Sequence, residues 1–265
     1  MRLIINADDF GMSHDKNLAI DQMMRQDICT NASVVVNMPW SDEAMKLAKD
    51  GNYSERLSLH LNLTVGESLT LNIRKIPLYY QNGEFAHRAI IKQYRQVMPL
   101  HIKTIQEEIE AQIKRFLDYG VQLTSVDSHN WVHLRLPIWL AFKPLIKKYH
   151  IKVVRPMWIG YKREEIASRR WAKYFQIIDP FISSVKECRI IAHTSNVEQF
   201  LLKASELECQ EIVEVFVHPD VVNEEIMDMS SSYLKKPRNS VMYNVGQIRQ
   251  YEKITVQQVL EEKGI

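Results

Sequence analysis

The sequence has few cysteines, and they are scattered along the chain. Cys29, Cys188 and Cys209 are odd in number and show no spacing typical of metal ligands. We expect them as buried thiols in a reducing compartment. The N-terminus is too short in apolar length for a signal peptide, and no apolar run is long enough to cross a bilayer. These absences predict a cytoplasmic protein without a membrane partner.

The sequence also lacks an excess of charge of either sign. Among 265 residues there are 34 basic and 32 acidic side chains, which give a formal net charge of +2. That balance gives no general electrostatic reason to expect nucleic acid or an anionic membrane as the main partner. Hydrophobic residues make up 46% and charged residues 25% of the chain. This composition is typical of a globular protein with a full-sized core.

Short β-rich runs alternate with longer helical stretches along the whole chain. This alternation predicts a parallel sheet flanked by helices, in a single domain that spans residues 1–265. Irregular excursions are expected near 65–100 and 156–188, and no repeat or linker is visible. The predicted strands are 3–7, 32–37, 56–64, 123–127, 151–155, 189–192 and 213–217, and the predicted helices are 13–26, 41–49, 102–119, 138–149, 197–205 and 245–263.

Polar side chains stand at the carboxyl ends of five of the seven predicted strands. Barrels and open doubly wound sheets both place their chemistry at that edge. In an open sheet, however, so many strands rarely converge on one point. The pattern therefore favours an α/β fold of the TIM-like (β/α) barrel type with about seven parallel strands. The residues concerned are Asp8, Asp9, His60, Asp127, Ser128, His129, Arg155 and His218.

These strand-end residues contain the parts of a metal-dependent hydrolase. Two histidines and a carboxylate can bind a divalent ion and leave positions open for water and substrate. A bound cation lowers the pKa of its water to roughly 7. A second carboxylate can then take a proton, and a further histidine can protonate the leaving group. Each residue alone also has a structural explanation as a cap, turn former or ion-pair partner. Their coincidence at one edge favours the site.

Four further sequence blocks are Ile5-Asn6-Ala7-Asp8-Asp9-Phe10-Gly11, Leu59-His60-Leu61-Asn62-Leu63-Thr64, Asp127-Ser128-His129 and Val217-His218-Pro219. Together they resemble the YdjC/ChbG family of carbohydrate deacetylases, and they follow in the family's order over nearly the whole chain. The resemblance implies a distorted TIM-type barrel. It also implies that one divalent ion is used to remove acetyl groups from small N-acetylated carbohydrates such as chito-oligosaccharides.

The resemblance also implies a role for individual residues. Asp9, His60 and His129 match the metal ligands of the family. Asp8 matches the proposed general base and His218 the proposed general acid. Arg155 matches a residue of the block at the fifth strand that lines the substrate pocket. The identity of the ion, Mg²⁺ or Zn²⁺, stays open because oxygen and nitrogen ligands accept both.

Two positions depart from the family pattern. Trp131 replaces the middle histidine of the family's Asp-Ser-His-x-His-x-His run, although His129 and His133 remain. Trp131 either stacks against a sugar ring or fills the space that a sugar would occupy. Asp220 replaces the family's glycine after the His218-Pro219 pair, which adds a charge near the proposed acid. We expect Trp131 and His133, together with Arg155, to contact the substrate.

The segment 152–174 is both basic and aromatic, a combination that can bind nucleic acid. Glu164 and Glu165 interrupt it, and the balanced net charge argues against that function. A lid or a homodimer contact is the favoured interpretation, and Trp158 is close enough in sequence to Arg155 to line a substrate pocket.

Other functions are compatible with parts of the pattern. A site of two histidines and one carboxylate could hold Fe(II) in an oxygenase, but those sites generally belong to β-sandwiches. A metal-dependent phosphoesterase on the same barrel is a stronger alternative. A non-catalytic sugar-binding or regulatory relative is the third, although mere binding requires neither Asp8 nor His218.

Overall fold

The computed structural model describes residues 2–86, 99–155, 192–194, 212–229, 246 and 248–265. The strands are β1 (Arg2–Phe10), β2 (Asn31–Val34), β3 (Leu57–Leu61), β4 (Tyr80–Gln81), β5 (Glu84–Phe85), β6 (Ser125–Ser128), β7 (Val153–Val154), β8 (Ala192–Thr194), β9 (Ile212–Val217), β10 (Pro219–Val222), β11 (Glu225–Asp228) and β12 (Glu252–Lys253). The α-helices are α1 (His14–Arg25), α2 (Ser41–Asp50), α3 (Leu71–Arg74), α4 (Pro99–Asp118), α5 (Leu136–Lys148) and α6 (Val256–Lys263).

A parallel sheet forms the centre of the molecule. Its strands pair in the order β7-β6-β3-β2-β1-β9-β8, and β12 pairs with β1 beside this path. Every one of these pairings is parallel. The predicted α/β fold with about seven parallel strands is therefore confirmed.

The sheet is strongly curled. Arg155 follows β7 and Glu214 lies on β9, five places further along the pairing order. Neighbouring strands lie about 4.8 Å apart, so a flat sheet would separate β7 and β9 by about 24 Å. Instead, Arg155 Nε lies 2.9 Å from Glu214 Oε1. The strands thus bend round a common interior, as in a barrel wall, in agreement with the barrel prediction.

Both faces of the central strands are buried. All five residues of β3 are buried, the polar Ser58 and His60 included. The leucines on the outer face pack in the core between sheet and helices, where α4 adds an apolar stripe at helical spacing. The polar residues face the interior of the curl. The stripe of α4 consists of Ile105, Ile109, Ile113 and Phe116.

Most predicted elements are present with small shifts at their ends. Ser13 accepts a hydrogen bond from the Lys16 backbone N–H and so caps α1, as its position predicts. Cys29 is buried, and burial raises the pKa of its thiol to about 12. Across the described ranges, no helix has the length and apolar character needed to span a membrane. The other two cysteines, Trp158, the excursion 156–188 and the predicted helix 197–205 lie outside the described residues.

The prediction of one C-terminal helix over 245–263 is wrong. Residues 252 and 253 form β12, which pairs with the start of β1. The Ile254 N–H then donates to the Leu3 carbonyl. Only after this strand does Thr255 begin α6, through a capping box with Gln258. The sequence pattern therefore predicts a helix where part of the chain forms the short strand β12, which is stabilised by pairing with β1.

Within the described ranges, two antiparallel hairpins interrupt the parallel pattern. The first, β4-β5, lies in the excursion predicted as irregular, and α3 precedes it. The second, β10-β11, follows His218 directly and was not predicted. It is closed by the Met229 N–H, which donates to the His218 carbonyl. This second hairpin shapes one side of the candidate site.

Candidate metal centre

Both aspartates at the end of β1 are buried at the interior of the curl. Successive residues of a regular strand point to opposite faces, so Asp8 and Asp9 would separate. The pairing of β1 with β2 shifts register between Ala7 and Phe10, and Asp9 has a φ of 72°. This irregularity, of the β-bulge kind found next to active sites, turns both carboxylates towards the same cluster of histidines.

Gly11 makes the turn after these aspartates possible. Its φ is 94°, a left-handed conformation that other residues rarely adopt. A Cβ at this position would lie 2.7 Å from the Val35 carbonyl oxygen. The Asp-Asp-Phe-Gly block therefore has a geometric basis in the close packing of two strand ends.

Asp9, His60 and His129 come together as a candidate metal site. Asp9 Oδ1 lies 2.9 Å from His129 Nδ1 and 3.4 Å from His60 Nε2. One ligand atom from each of the three residues lies within 4.8 Å of the others. A carboxylate and two imidazoles form a donor set that divalent ions bind. The residues present therefore fit the predicted divalent ion.

Asp127 orients the imidazole of His60. The two residues are direct neighbours in the register of β3 and β6, so their side chains share a face. His60 Nδ1 lies 2.7 Å from Asp127 Oδ1, and because a carboxylate only accepts, Nδ1–H is the donor. That bond leaves Nε2 directed at Asp9. A carboxylate behind a histidine is the usual second partner of a metal-binding imidazole.

A second group of ligand-type atoms overlaps the first. Asp8, His60 and Asp127 also lie within the same mutual distance. Both of its carboxylates, however, are already paired with the guanidinium of Arg155. A fixed positive charge at that position opposes a second cation. Asp9, His60 and His129 are therefore the better ligand set.

Arg155 binds three buried carboxylates. Its Nη1 and Nη2 lie 2.7 and 2.8 Å from the two oxygens of Asp8. Nη2 also lies 2.5 Å from Asp127 Oδ2, and Nε lies 2.9 Å from Glu214 Oε1. The side chain is only 3% exposed. This differs from the expectation that Arg155 lines the substrate pocket: the arginine sits behind the site and holds its acidic residues in place.

Asp8 is held by hydrogen bonds on one oxygen and is more open on the other. Oδ1 accepts from Asn6 at 2.7 Å and from Ser33 at 3.3 Å, in addition to Arg155. Oδ2 accepts from Arg155 Nη1 and lies 3.8 Å from His218 Nε2. The pair expected to act as base and acid therefore faces one space, next to the metal ligands.

The electrostatics favour a cation at this cluster. Burial alone would raise the pKa of Asp9, but the neighbouring His129 and His60 lower it well below its usual range. Burial would likewise raise the pKa of Asp8, yet the charge and hydrogen bonds of Arg155 lower it. Burial would lower the pKa of His60, but Asp127 outweighs this effect and raises it to about 10. A divalent ion would therefore displace a proton from His60 when it binds.

His218 follows β9 at the rim of the site. Its side chain is 21% exposed, compared with 15% for His129, whereas Asp8 and His60 are almost fully buried. The backbone N–H of His218 donates to Asp228 Oδ1 on β11, so the hairpin fixes this residue. Access from solvent therefore comes from the side of His129 and His218.

Aromatic rings connect His218 to Trp131. The Phe216 ring lies 5.4 Å from the His218 ring, 5.6 Å from the Trp131 ring and 5.2 Å from the Arg155 guanidinium carbon. Trp131 is half-buried, and it has a positive φ of 59° directly after Asn130 with a φ of 55°. The indole therefore packs on Phe216, which in turn contacts the proposed acid His218, beside the site.

His133 lies away from the position expected for a substrate contact. It is fully buried, and its Nε2–H donates to the Arg155 carbonyl at 3.0 Å. Its Nδ1 then accepts from the Ser128 hydroxyl at 2.5 Å. Burial lowers the pKa of His133 to about 4, so the ring is neutral at pH 7. This histidine braces the segment between β6 and Arg155.

Two residues of the site had a detectable signal in the sequence. Glu214 is the one charged residue in the apolar strand Ile212–Val217, and Asn6 shares the face of Asp8 two residues earlier on β1. A third, Lys16, had no such signal, because it stands among other polar residues in the first turn of α1. Its Nζ lies 3.6 Å from Asp9 Oδ2.

The curled parallel sheet and the carboxylate–histidine cluster at its carboxyl edge define an α/β barrel-type protein with a candidate metal centre. The family model described as YdjC-like protein matches residues 2–259. The chain therefore belongs to the YdjC-like family, as the four sequence blocks indicate.

The matches to individual similar proteins cover most of the chain. A carbohydrate deacetylase of Brevibacillus brevis is 26% identical over 256 residues, which cover 95% of this chain and 94% of that protein. A carbohydrate deacetylase of Vibrio cholerae is 28% identical over 242 residues, which cover 89% and 84%. The crystal structure of a protein from Enterococcus faecalis described as a cellobiose-phosphate cleavage protein has a TM-score of 0.60 at 21% identity, with 100% of this chain and 95% of that chain covered. This last likeness shows a shared fold.

Proposed function

We propose that this protein is a metal-dependent hydrolase that removes acetyl groups from N-acetylated sugars such as chito-oligosaccharides. The observation that carries the proposal is the separation of two sets of groups within one site. Asp9, His60 and His129 form a ligand set, while Asp8 and His218 face each other beside it at 3.8 Å. The names of the relatives from Brevibacillus brevis and Vibrio cholerae supply the substrate class.

The three ligands would hold one divalent ion, Mg²⁺ or Zn²⁺. When bound, such an ion supplies a Lewis acid and lowers the pKa of a water to about 7. The chain's own contribution at this point is the orientation of the ligands. Asp127 fixes the tautomer of His60, and the irregular end of β1 turns Asp9 into the cluster.

Asp8 takes the proton of the attacking water. Its lowered pKa, which arises from the charge of Arg155 despite burial, keeps it ionised at neutral pH. Asn6 and Arg155 Nη2 donate to Oδ1, while Oδ2 accepts from Arg155 Nη1 and also faces the space next to His218. A fixed carboxylate loses little conformational entropy when it accepts a proton in the transition state.

His218 delivers a proton to the departing amine. Its ring lies at the exposed rim of the site, where the amino group of a released sugar would leave. Phe216 and the hairpin contact of Asp228 hold it in place. General acid catalysis of this kind contributes typically 10²–10⁴-fold in rate.

The test is an acetate-release assay on N-acetylglucosamine and on chito-oligosaccharides of increasing length. The protein is first stripped with a chelator and then reloaded separately with Mg²⁺ and Zn²⁺. We expect acetate and a free amine in equal amounts, loss of activity after stripping, and recovery with at least one ion. No acetate from any sugar with any ion would overturn the proposal. Release of phosphate from phosphorylated sugars instead would favour the phosphoesterase alternative.

A further inference from the structure

Lys16 places a positive charge against a proposed metal ligand. Its Nζ lies 3.6 Å from Asp9 Oδ2 and 3.7 Å from Asp220 Oδ2. The side chain is only 13% exposed, compared with 22% for Asp220. The ammonium group is thus enclosed between one carboxylate of the metal cluster and one carboxylate outside it.

Helix stability does not account for a lysine at this position. Lys16 is in the first turn of α1, where the helix dipole favours negative side chains over positive ones. Asp220 stands on β10, and the hairpin β10-β11 packs against α1. The two residues therefore approach each other from separate elements.

The two oxygens of Asp9 face different partners. Oδ1 faces His60 and His129, where the ion would bind, whereas Oδ2 faces Lys16. A positive charge on the far side of a ligand weakens the attraction of that ligand for a cation, because the two cations repel each other. A carboxylate that neutralises Lys16 reduces this effect.

We propose that Lys16 and Asp220 form a charge pair that sets the affinity of the metal centre. Lys16 holds Asp9 in position and weakens the attraction between Asp9 and the ion. Asp220 partly neutralises the charge of Lys16 and so reduces its repulsion of the ion. Both are positioning residues, since they act through Asp9. This inference rests on the proposed metal centre and adds a determinant that the ligand set itself does not contain.

The test measures dissociation constants for Zn²⁺ and Mn²⁺ alone, without substrate, by calorimetry against a competing chelator. Asp220→Asn leaves the charge of Lys16 directed at Asp9 alone, and we expect about tenfold weaker binding, within the usual range for an outer partner of a metal ligand. Lys16→Gln removes the repulsion, and we expect tighter binding by a similar factor. Lys16→Arg keeps the positive charge, so its dissociation constants should stay closer to those of the wild type than those of Lys16→Gln do.

The double variant decides whether Asp220 acts through Lys16. In the Lys16→Gln background, Asp220→Asn should lose most of its effect. Asp15→Asn is the matched control, since it removes an exposed carboxylate from the same helix turn. An equal effect of Asp220→Asn in both backgrounds, or changes no larger than that of the control, would overturn the charge pair while leaving the metal centre intact. A wild-type protein that binds neither ion would overturn the centre and the pair together.

Discussion

His60 on β3 and Asp127 on β6 are joined by a 2.7 Å hydrogen bond across two neighbouring parallel strands. The bond settles which nitrogen of His60 is available to the site. With the proton on Nδ1 held by Asp127, Nε2 is the atom that faces Asp9 at 3.4 Å. The register of two strands thus determines the chemistry of one ligand.

Replacement of Asp127 by asparagine should weaken metal binding. An asparagine amide can present its N–H₂ to His60 Nδ1 and so favour the wrong tautomer. Loss of such an outer partner typically costs 10–100-fold in metal affinity, and we expect about that factor for Zn²⁺ measured by calorimetry. Ser125→Ala is the control, because Ser125 is on the same strand and its buried hydroxyl has no partner among the described residues. Affinity within twofold of the wild type would contradict the assigned role of Asp127.

Replacement of Asp8 by asparagine should strongly reduce turnover while the ion still binds. Asp8 is outside the chosen ligand set, but its Oδ2 faces the space in which water would be deprotonated. We expect acetate release to fall by about 10²–10⁴-fold, with the Zn²⁺ dissociation constant within a few-fold of the wild type. Arg155 keeps Asp127 and Glu214 as partners, so the fold should survive. Full activity with metal bound would exclude Asp8 as the base.

The sequence predicts the candidate site better than the structure around it. In a parallel sheet all strands present their carboxyl ends at one edge, so Asp9, His60 and His129 could be grouped from strand assignments alone. The curl of the sheet could not be derived in the same way. Arg155 meets Glu214 only because five strand spacings bend back on themselves, and this depends on packing over the whole chain.

The other errors in the predicted secondary structure concern short elements that are stabilised by tertiary contacts. The two-residue β12 is stabilised by β1 at the opposite end of the chain, so a local pattern could not reveal it. The β10-β11 hairpin begins at the proline of a His-Pro pair that resembles a simple turn. Its effect on the site, through Asp228 and Asp220, depends on where it packs.

The stability of the protein should depend on pH through Glu214. Burial raises the pKa of this carboxyl to about 7, although the charge of Arg155 opposes the rise. Since its ordinary value is 4.5, the folded protein keeps a proton between pH 4.5 and 7 that the unfolded chain releases. The contribution of Glu214 to the free energy of unfolding therefore falls as the pH rises through this window, and it is constant above it.

Glu214→Gln removes that dependence. The unfolding free energy of the variant minus that of the wild type should increase by up to about 3 kcal/mol from pH 5 to pH 8, at about 1.4 kcal/mol for each pKa unit. Other groups titrate in both proteins and cancel in the difference. Urea unfolding at several pH values provides the measurement. A difference between the two proteins that stays constant over this range would mean that Glu214 is ionised throughout.

Trp131 should affect the rate of the reaction more than the binding of sugar. Its ring packs on Phe216, which in turn packs on His218, so the indole supports the proposed acid. An aromatic pair contributes about 0.5–1.5 kcal/mol beyond its buried area, which corresponds to at most about a tenfold change in rate. Trp131→Ala should lower kcat by up to that factor with little change in KM, and Trp131→Phe, which keeps a ring against Phe216, should restore most of it. If Trp131→Ala instead raises KM for the longer oligosaccharides and leaves kcat unchanged, the indole stacks on a sugar ring. Steady-state kinetics on sugars of two lengths separate the two roles, because support of His218 acts on every substrate equally, whereas stacking acts only on a sugar long enough to reach the indole.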